Sequence, residues 1–346
     1  MRRMLNTLYV TSEHAWLHKD GANLVVEVEG VERGRAPLHM LAGVVSFGRV
    51  GASPALLAAC AESAITVSYL APNGRFLSRM EGPRTGNVLL RRTQFRVADD
   101  PLRLAPIVRS LVVAKTANQR AVLRRALRDH GEAVSSAARE SLSDAERRLT
   151  DVARRCLITD ALDALRGLEG EAAQVYFGSF SHLVRVDDPA FEFGGRSRRP
   201  PLDRMNALLS FLYAVLGHDC RSALEAHGLD PQVGFLHADR PGRASLALDL
   251  MEELRPVLAD RLALSLVNRR QIVAGDFVVE EAGGVRLTDD ARKQVLIAWQ
   301  ERKRDELRHP FLGEATPLGL VAHVQAQLLA RHLRGDLDGY PAFIWK

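Results

Sequence analysis

Two features of the 346-residue sequence predict an α+β chain, in which a small N-terminal β-sandwich-like domain precedes a larger, predominantly α-helical one. The first is a change of hydrophobic period. Up to Gly82, short β-rich runs alternate with turn residues; beyond Pro83, apolar residues recur at helical spacing. The second is Glu81-Gly82-Pro83-Arg84-Thr85-Gly86, the clearest Gly/Pro punctuation in the chain, at the point where the period changes. The expected division is therefore a β domain over residues 1–82, a linker at 83–87 and an α-helical domain over 88–346.

Leu5–Thr11, Asn23–Glu29, Gly43–Phe47 and Ile65–Leu70 have strand composition, with Lys19-Asp20-Gly21 and Pro72-Asn73-Gly74 as turns. Pro54–Ser63, alanine- and leucine-rich behind Ser53, predicts a short helix. Residues 88–130 read as helix with a break around Asp99-Asp100-Pro101. Ser143-Asp144-Ala145-Glu146 matches a capping box, so a helix is expected to start there and run to about Leu168, continuing through Glu169–Phe180. An irregular Gly/Pro/Arg stretch over 186–203 separates this from a helix at Arg204 to about His227. Gln271–Leu287 suggests a hairpin around Gly283-Gly284. Thr288 caps a charged helix to about Arg308, and a last helix spans Leu318–Arg334.

The formal net charge of +5 permits an anionic partner without requiring one. The bias is concentrated in residues 88–130, where 10 lysines and arginines face 3 aspartates, a stripe able to track a phosphate backbone. Cys60, Cys156 and Cys220 are odd in number and far apart, which fits neither a disulfide framework nor a zinc spacing and suits a reducing cytoplasm. No signal peptide and no apolar run long enough for a membrane helix is expected. There is no P-loop, no dinucleotide fingerprint and no G-x-S-x-G elbow.

The chemistry concentrates in Val233–Pro256. His237 ends a short apolar run, and a DRPGR turn leads into a helix. On that helix Leu246, Leu250, Leu254, Val257 and Leu258 share one arc, with Asp249, Glu252 and Glu253 on the opposite one. Read alone, this is an amphipathic helix with a solvated acidic face, Glu253 included, preceded by a core histidine. An imidazole and two carboxylates three residues apart also make a mixed nitrogen/oxygen donor set suited to Mg2+ or Mn2+, with Zn2+ compatible by ligand type. Further upstream, Glu169 precedes Gly170 in LEGEAAQVYF. A helical glycine costs about 1 kcal/mol relative to alanine, so Gly170, Ala172 and Ala173 suggest that a backbone or ligand approaches closely there. Arg196, Arg198 and Arg199 in one Gly/Pro loop, with Arg240 and Arg243 beside the histidine, are suited to phosphate oxygens. Tyr176 and Tyr213 read as core aromatics.

These blocks resemble the CRISPR-associated integrase that captures spacers, the adaptation endonuclease of CRISPR systems. Glu169-Gly170 with Ala172-Ala173 and Tyr176-Phe177, Asn206–Gly217, Gly234–Pro256 and, more weakly, Val267–Phe277 carry the likeness in their order and spacing. The start LNTLYVTSEHAWL is similar to the versions in type I-C systems. The resemblance implies a divalent metal, Mg2+ or Mn2+, held by Glu169, His237 and Glu252 as the catalytic residues, with Asp249 as the supporting acid of that metal site. Glu171 is an extra acid in the first block, and Glu169 is preferred because it directly precedes the motif glycine. The resemblance also implies 3′-hydroxyl attack on a phosphodiester at the CRISPR repeat, with hydrolysis at the same site. The implied partners are double-stranded DNA, a second copy as homodimer, and a small ferredoxin-like partner dimer. The competing reading is a non-catalytic double-stranded nucleic-acid-binding scaffold of the same fold.

Overall fold

The computed structural model describes residues 5–80, 82, 87–130 and 135–345. Apart from Asn87, the expected linker at 83–87 lies outside them. The chain divides into two compact units. The first joins residues 1–85 to Leu287–Asp305; the second comprises Gly86–Arg286 and Glu306–Lys346.

The first unit holds two four-stranded sheets. One has the order β1 (Thr7–Val10), β5 (Gly43–Phe47), β7 (Thr66–Leu70), β8 (Phe76–Met80); the first two pairings are parallel and the last antiparallel. The other has the order β4 (Val31–Pro37), β3 (Asn23–Val28), β2 (Trp16–Asp20), β6 (Gly51–Ala52). After β3, Glu29 and Gly30 close a two-residue turn to β4 with φ of +53° and +77°, the left-handed pair that matches strand twist. Leu17, Leu24, Val44, Val67, Leu56 and Cys60 form one core, so both sheets and helix α1 (Pro54–Glu62) bury against each other. Ser53 caps α1 by accepting from Leu56 N at 3.2 Å. Four strands escape the sequence pattern. β2 and β4 carry charged or polar residues on exposed positions, so their alternation is weak, and β6 and β8 are short or exposed.

Helix α9 (Asp289–Arg304) joins this first unit, although the boundary expected from sequence assigns it to the second. Arg292 is buried: it donates to Pro72 O at 3.1 Å, pairs with Asp289 and stacks on Phe47. Gln300 donates to Thr7 O at 3.1 Å. Thr288 caps the helix as expected. The helix ends at Arg304, short of Arg308, because Glu306–Arg308 pairs as β11 with β12 (Ala315–Pro317).

In the second unit, Asp100 separates α2 (Val88–Ala98) from the 30-residue α3 (Pro101–His130), accepting from Leu102 N at 3.0 Å. Helix α4 (Ser136–Leu157) starts earlier than the capping-box pattern suggests. Ser135 is its cap, and Ser143 to Glu146 lie inside it. The chain then turns, and α5 (Leu162–Gly178) is a separate helix. Helix α4 runs antiparallel to α3: Arg109 bonds Thr159 O and Asp160 at one end, and Arg120 meets Thr150 and Glu146 further along. Part of the basic stripe in residues 88–130 is therefore matched by acids of neighbouring helices. Helices α6 (Arg204–Ala226), α7 (Ser245–Glu252), α8 (Arg261–Asn268) and α10 (Val321–Arg334) complete the unit, with a π-helical turn at Pro256–Asp260. A short ribbon, β9 (Phe277–Val279) with β10 (Val285–Leu287), fulfils the hairpin expectation. Cys60, Cys156 and Cys220 are all buried. Among the described residues no helix is long and apolar enough to cross a membrane.

Candidate active site

The loop ending in His237 is built around one carboxylate. Asp249, fully buried on α7, accepts the backbone N–H groups of Phe235 (2.6 Å), Leu236 (3.0 Å) and His237 (2.9 Å). Its Oδ1 also lies 2.6 Å from His237 Nδ1. An Nδ1–H donated to a carboxylate fixes the ring and leaves Nε2 as the free nitrogen. Asp249 thus holds the histidine in place, and both of its oxygens are engaged by donors. It supports the site from behind.

Two further contacts set the loop. Gly234 lies so close to its neighbours that a Cβ there would stand 2.6 Å from His237 O and 2.6 Å from Ser245 Cβ. Gln94, buried on α2, donates to Asp230 O and Val233 O at 2.8 and 2.9 Å and accepts from Asp230 N. Gly170 behaves differently from its sequence expectation: a Cβ there would meet nothing within 4 Å.

His237 Nε2 lies 3.8 Å from Glu252 Oε1, too far for a hydrogen bond. Glu252 is buried, and its Oε1 accepts from Arg255 at 2.6 Å. The buried ammonium of Lys115, from α3, lies 2.6 Å from Glu252 Oε2 and also contacts Glu169 Oε1. Glu169 and His237 keep a solvent-facing edge, with 25% and 27% of their side-chain surface exposed, so the cluster opens on their side. Glu171 points elsewhere, pairing with Arg155 of α4. Glu252 therefore links the other two, meeting Glu169 through the Lys115 ammonium and lying 3.8 Å from His237 Nε2, with Asp249 behind the imidazole.

The charges follow from this arrangement. Burial alone would push the Glu252 carboxyl up, but Arg255, Lys115 and His237 together hold it below the usual carboxylate range. Its neighbour Glu253 is the opposite case and corrects the expectation of a solvated residue. It is fully buried, and burial raises it to about 7 even though Tyr340 O–H, Phe343 N–H and Gln325 donate to it. Through these bonds, and through Asn118 accepting from Trp345 N and donating to Phe343 O, the C-terminal segment is tied beneath α7.

Behind Arg255 lies another buried carboxylate. Asp260 accepts from Tyr213 O–H at 2.7 Å, and the Arg196 and Arg255 guanidinium groups stand over the Tyr213 ring. Burial raises Asp260 to about 6, against the pull of Tyr213, Tyr176 and the two arginines. A carboxyl raised on folding contributes stability that is present below its unfolded value and lost as pH rises through its folded value. Asp260→Asn is therefore expected to gain on the wild type by about 2 kcal/mol between pH 4.5 and pH 7.5. Urea unfolding of both proteins at the two pH values measures it, and a difference independent of pH would contradict it.

The loop arginines separate into two groups. Arg196 is held by Asn206 Oδ1 (2.6 Å), Ser210 Oγ (3.1 Å) and the Tyr213 ring, and Arg243 braces the turn on Ser245 Oγ (3.1 Å) and Ala238 O. Arg198, Arg199 and Arg240 are exposed. Sequence reasoning missed Lys115, Gln94 and the burial of Arg255. A lysine in the apolar run Val112-Val113-Ala114 to Thr116 was the one signal for the first.

Two carboxylates with an imidazole whose far nitrogen is fixed match the donor chemistry of Mg2+ or Mn2+. As they stand, no three His, Cys, Asp or Glu side chains among the described residues converge closely enough to hold an ion. The positive charge between Glu169 and Glu252 is the Lys115 ammonium.

Comparison with known proteins places the chain in a family. The family model for CRISPR associated protein Cas1 matches residues 8–301. The chain is 59% identical to the CRISPR-associated endonuclease Cas1 2 of Rhodospirillum rubrum, over 100% of both chains. Its fold is similar to that of a casposase bound to integration product, with TM-score 0.82 and 22% identity over 99% of this chain and 94% of that one. It is equally similar to a chain of a Cas6-RT-Cas1–Cas2 complex, with TM-score 0.82 and 24% identity, over 99% of this chain and 36% of that one. With a family model matched over most of its length and a relative of this identity covered end to end, the chain belongs to the Cas1 family.

Proposed function

We propose that the protein is a divalent-metal-dependent DNA endonuclease and integrase that inserts DNA fragments as new spacers into a CRISPR array. The observation that carries this reading is that Lys115 joins Glu169 to Glu252 while the Asp249-held His237 turns its Nε2 to within 3.8 Å of Glu252, in a chain of the Cas1 family. Family membership supports the nuclease and integrase class; the metal, the substrate and the roles below are our assignment.

Glu169, His237 Nε2 and Glu252 would hold Mg2+ or Mn2+. The ion supplies positive charge that lowers the proton affinity of an attacking hydroxyl and offsets charge developing on the phosphate oxygens. Asp249 keeps the imidazole in one tautomer and orientation. Arg255 and Lys115 keep Glu252 ionised, so that its oxygens remain acceptors. In the reaction the 3′-oxygen of a DNA end forms a bond to phosphorus at the repeat boundary. The existing P–O bond breaks, and the displaced strand leaves with a free hydroxyl. Water in place of the 3′-hydroxyl gives strand cleavage at the same residues.

Double-stranded DNA is the expected substrate. Exposed Arg198, Arg199 and Arg240 are suited to its phosphates. Between α3 and α4, Arg120, Arg124, Arg147 and Arg154 line an open trough of about 840 Å3 with Glu146, Ser143 and Thr150. The double variant Arg124→Ala/Arg154→Ala is expected to weaken DNA binding. It should also flatten the dependence of log K on log salt by about 0.9 for each phosphate that is no longer neutralised, which a salt titration measures. An unchanged slope would remove the trough from the DNA path. The assembly we infer is a homodimer joined by a small ferredoxin-like partner dimer, working in the cytoplasm. A structural neighbour described in a Cas1–Cas2 complex supports the partner. The N-terminal LNTLYVTSEHAWL supports a type I-C form.

The test is strand transfer of a labelled 3′-hydroxyl duplex into repeat DNA with Mn2+ or Mg2+. Glu169→Ala, His237→Ala and Glu252→Ala are each expected to lower the rate at least about a hundredfold, the scale of losing a group that stabilises transition-state charge. Full activity in all three would overturn the assignment.

A further inference from the structure

The most unusual side chain in the helical unit is Lys115. It lies in the middle of α3 with its ammonium buried, a placement lysine avoids unless paired. It is paired twice, with Glu169 of α5 and at 2.6 Å with Glu252 of α7, two residues 83 positions apart in sequence. Arg255 covers the other oxygen of Glu252 at 2.6 Å. Without a cation between them the two carboxylates would repel, and the buried Glu252 would be costly to keep charged. The ammonium removes both penalties. It is the cation that lies between the two carboxylates, so an ion sharing the same oxygens would have to displace it.

We propose that Lys115 is a built-in counter-cation that competes with the divalent ion for Glu169 and Glu252, so that metal entry displaces its ammonium from the two carboxylates. This inference rests on the metal reading of the site and concerns its regulation. Lysine suits the role better than arginine. Its single ammonium on a four-carbon stem swings away by side-chain rotation, whereas a guanidinium fork would hold both carboxylates bidentately. The site is thus kept closed and neutralised in the metal-free protein and is exchanged into its loaded form without refolding. Lys115 acts on the carboxylates and is a positioning residue.

The direct test is Mn2+ affinity, measured by titration calorimetry and by electron paramagnetic resonance of free Mn2+, for the full-length wild type and Lys115→Met. Methionine keeps the length and packing of the stem and removes the charge. Loss of one competing charge at contact distance should tighten Mn2+ binding about tenfold or more. The metal-free variant should melt below the wild type, and Mn2+ should raise its melting temperature by more than it raises that of the wild type. A second measurement needs no variant: acylation of Lys115 in the wild type, followed by peptide mass spectrometry, should quicken when Mn2+ saturates the protein. Equal Mn2+ affinity in the two proteins, or acylation that Mn2+ leaves unchanged or slows, would overturn the proposal while leaving the metal site standing. Binding of Mn2+ to neither protein would overturn the metal reading and this inference with it.

Discussion

Asp249→Ala is expected to unfold the catalytic loop and abolish strand transfer. The substitution leaves the N–H groups of Phe235, Leu236 and His237 without their acceptor and frees the imidazole ring. Each buried unsatisfied donor costs about 1–3 kcal/mol. With partial relaxation the loss should reach roughly 4 kcal/mol in urea unfolding. Amide exchange should accelerate at 235–237 before it does elsewhere in the helical unit. A control on the same unit is Asp163→Ala, whose carboxyl is exposed and pairs with Arg166; it should shift stability by less than about 0.5 kcal/mol. If Asp249→Ala behaves like Asp163→Ala, the loop is not organised by that carboxylate. Asp249→Asn separates packing from chemistry. It keeps the volume but turns an amide NH2 towards donors, so it should fold better than the alanine variant and still lose activity.

Gly234→Ala should be almost as damaging, for a steric reason. The added Cβ would stand 2.6 Å from His237 O, 2.6 Å from Ser245 Cβ and 3.0 Å from Ser245 C. Two of these three are backbone atoms that cannot swing aside. Overpacking of this kind costs about 1–3 kcal/mol, and here the strain falls on the loop that positions His237. Both stability and strand transfer should fall. Gly170→Ala is the matched comparison within the same unit. It lies in α5 with open space around it, so replacing it should stabilise the helix by about 0.5–1 kcal/mol. Urea unfolding of the two variants side by side decides this, and equal effects would contradict the steric account.

How far the sequence carries depends on how local each feature is. The helix cap at Ser53, the α2–α3 break at Asp100 and the hairpin near Gly283 are short-range patterns and are read correctly. Ser143 to Glu146 shows where such patterns fail. A Ser-x-x-Glu inside a helix is indistinguishable from a cap until the true cap, Ser135, is seen accepting its hydrogen bond. Helix α9 joins the first unit through Arg292 reaching Pro72 O and Gln300 reaching Thr7 O, pairings that span more than two hundred residues of sequence.

The acidic face of α7 is the instructive case. Spacing places Asp249, Glu252 and Glu253 on one polar arc and leaves that arc to solvent. In the structure the arc is buried, and each acid has a different fate. Asp249 holds the histidine loop, Glu252 meets Lys115 and Arg255, and Glu253 anchors the C-terminal segment through Tyr340 and Phe343. The periodicity identifies which residues are polar, but what covers them comes from α3 and the C-terminal segment. Lys115 is in the same position: nothing near it in sequence says that Glu169 and Glu252 will meet there.

The central claim is that Glu169, His237 and Glu252 form one metal site oriented by Asp249. Anomalous scattering from crystals grown with Mn2+ tests it most directly. The account predicts a single strong peak in each helical unit, ligated by His237 Nε2, Glu169 and Glu252, with Asp249 still hydrogen-bonded to Nδ1 and the Lys115 ammonium moved away. No peak in the cluster at saturating Mn2+, or a peak held by other residues, would contradict it.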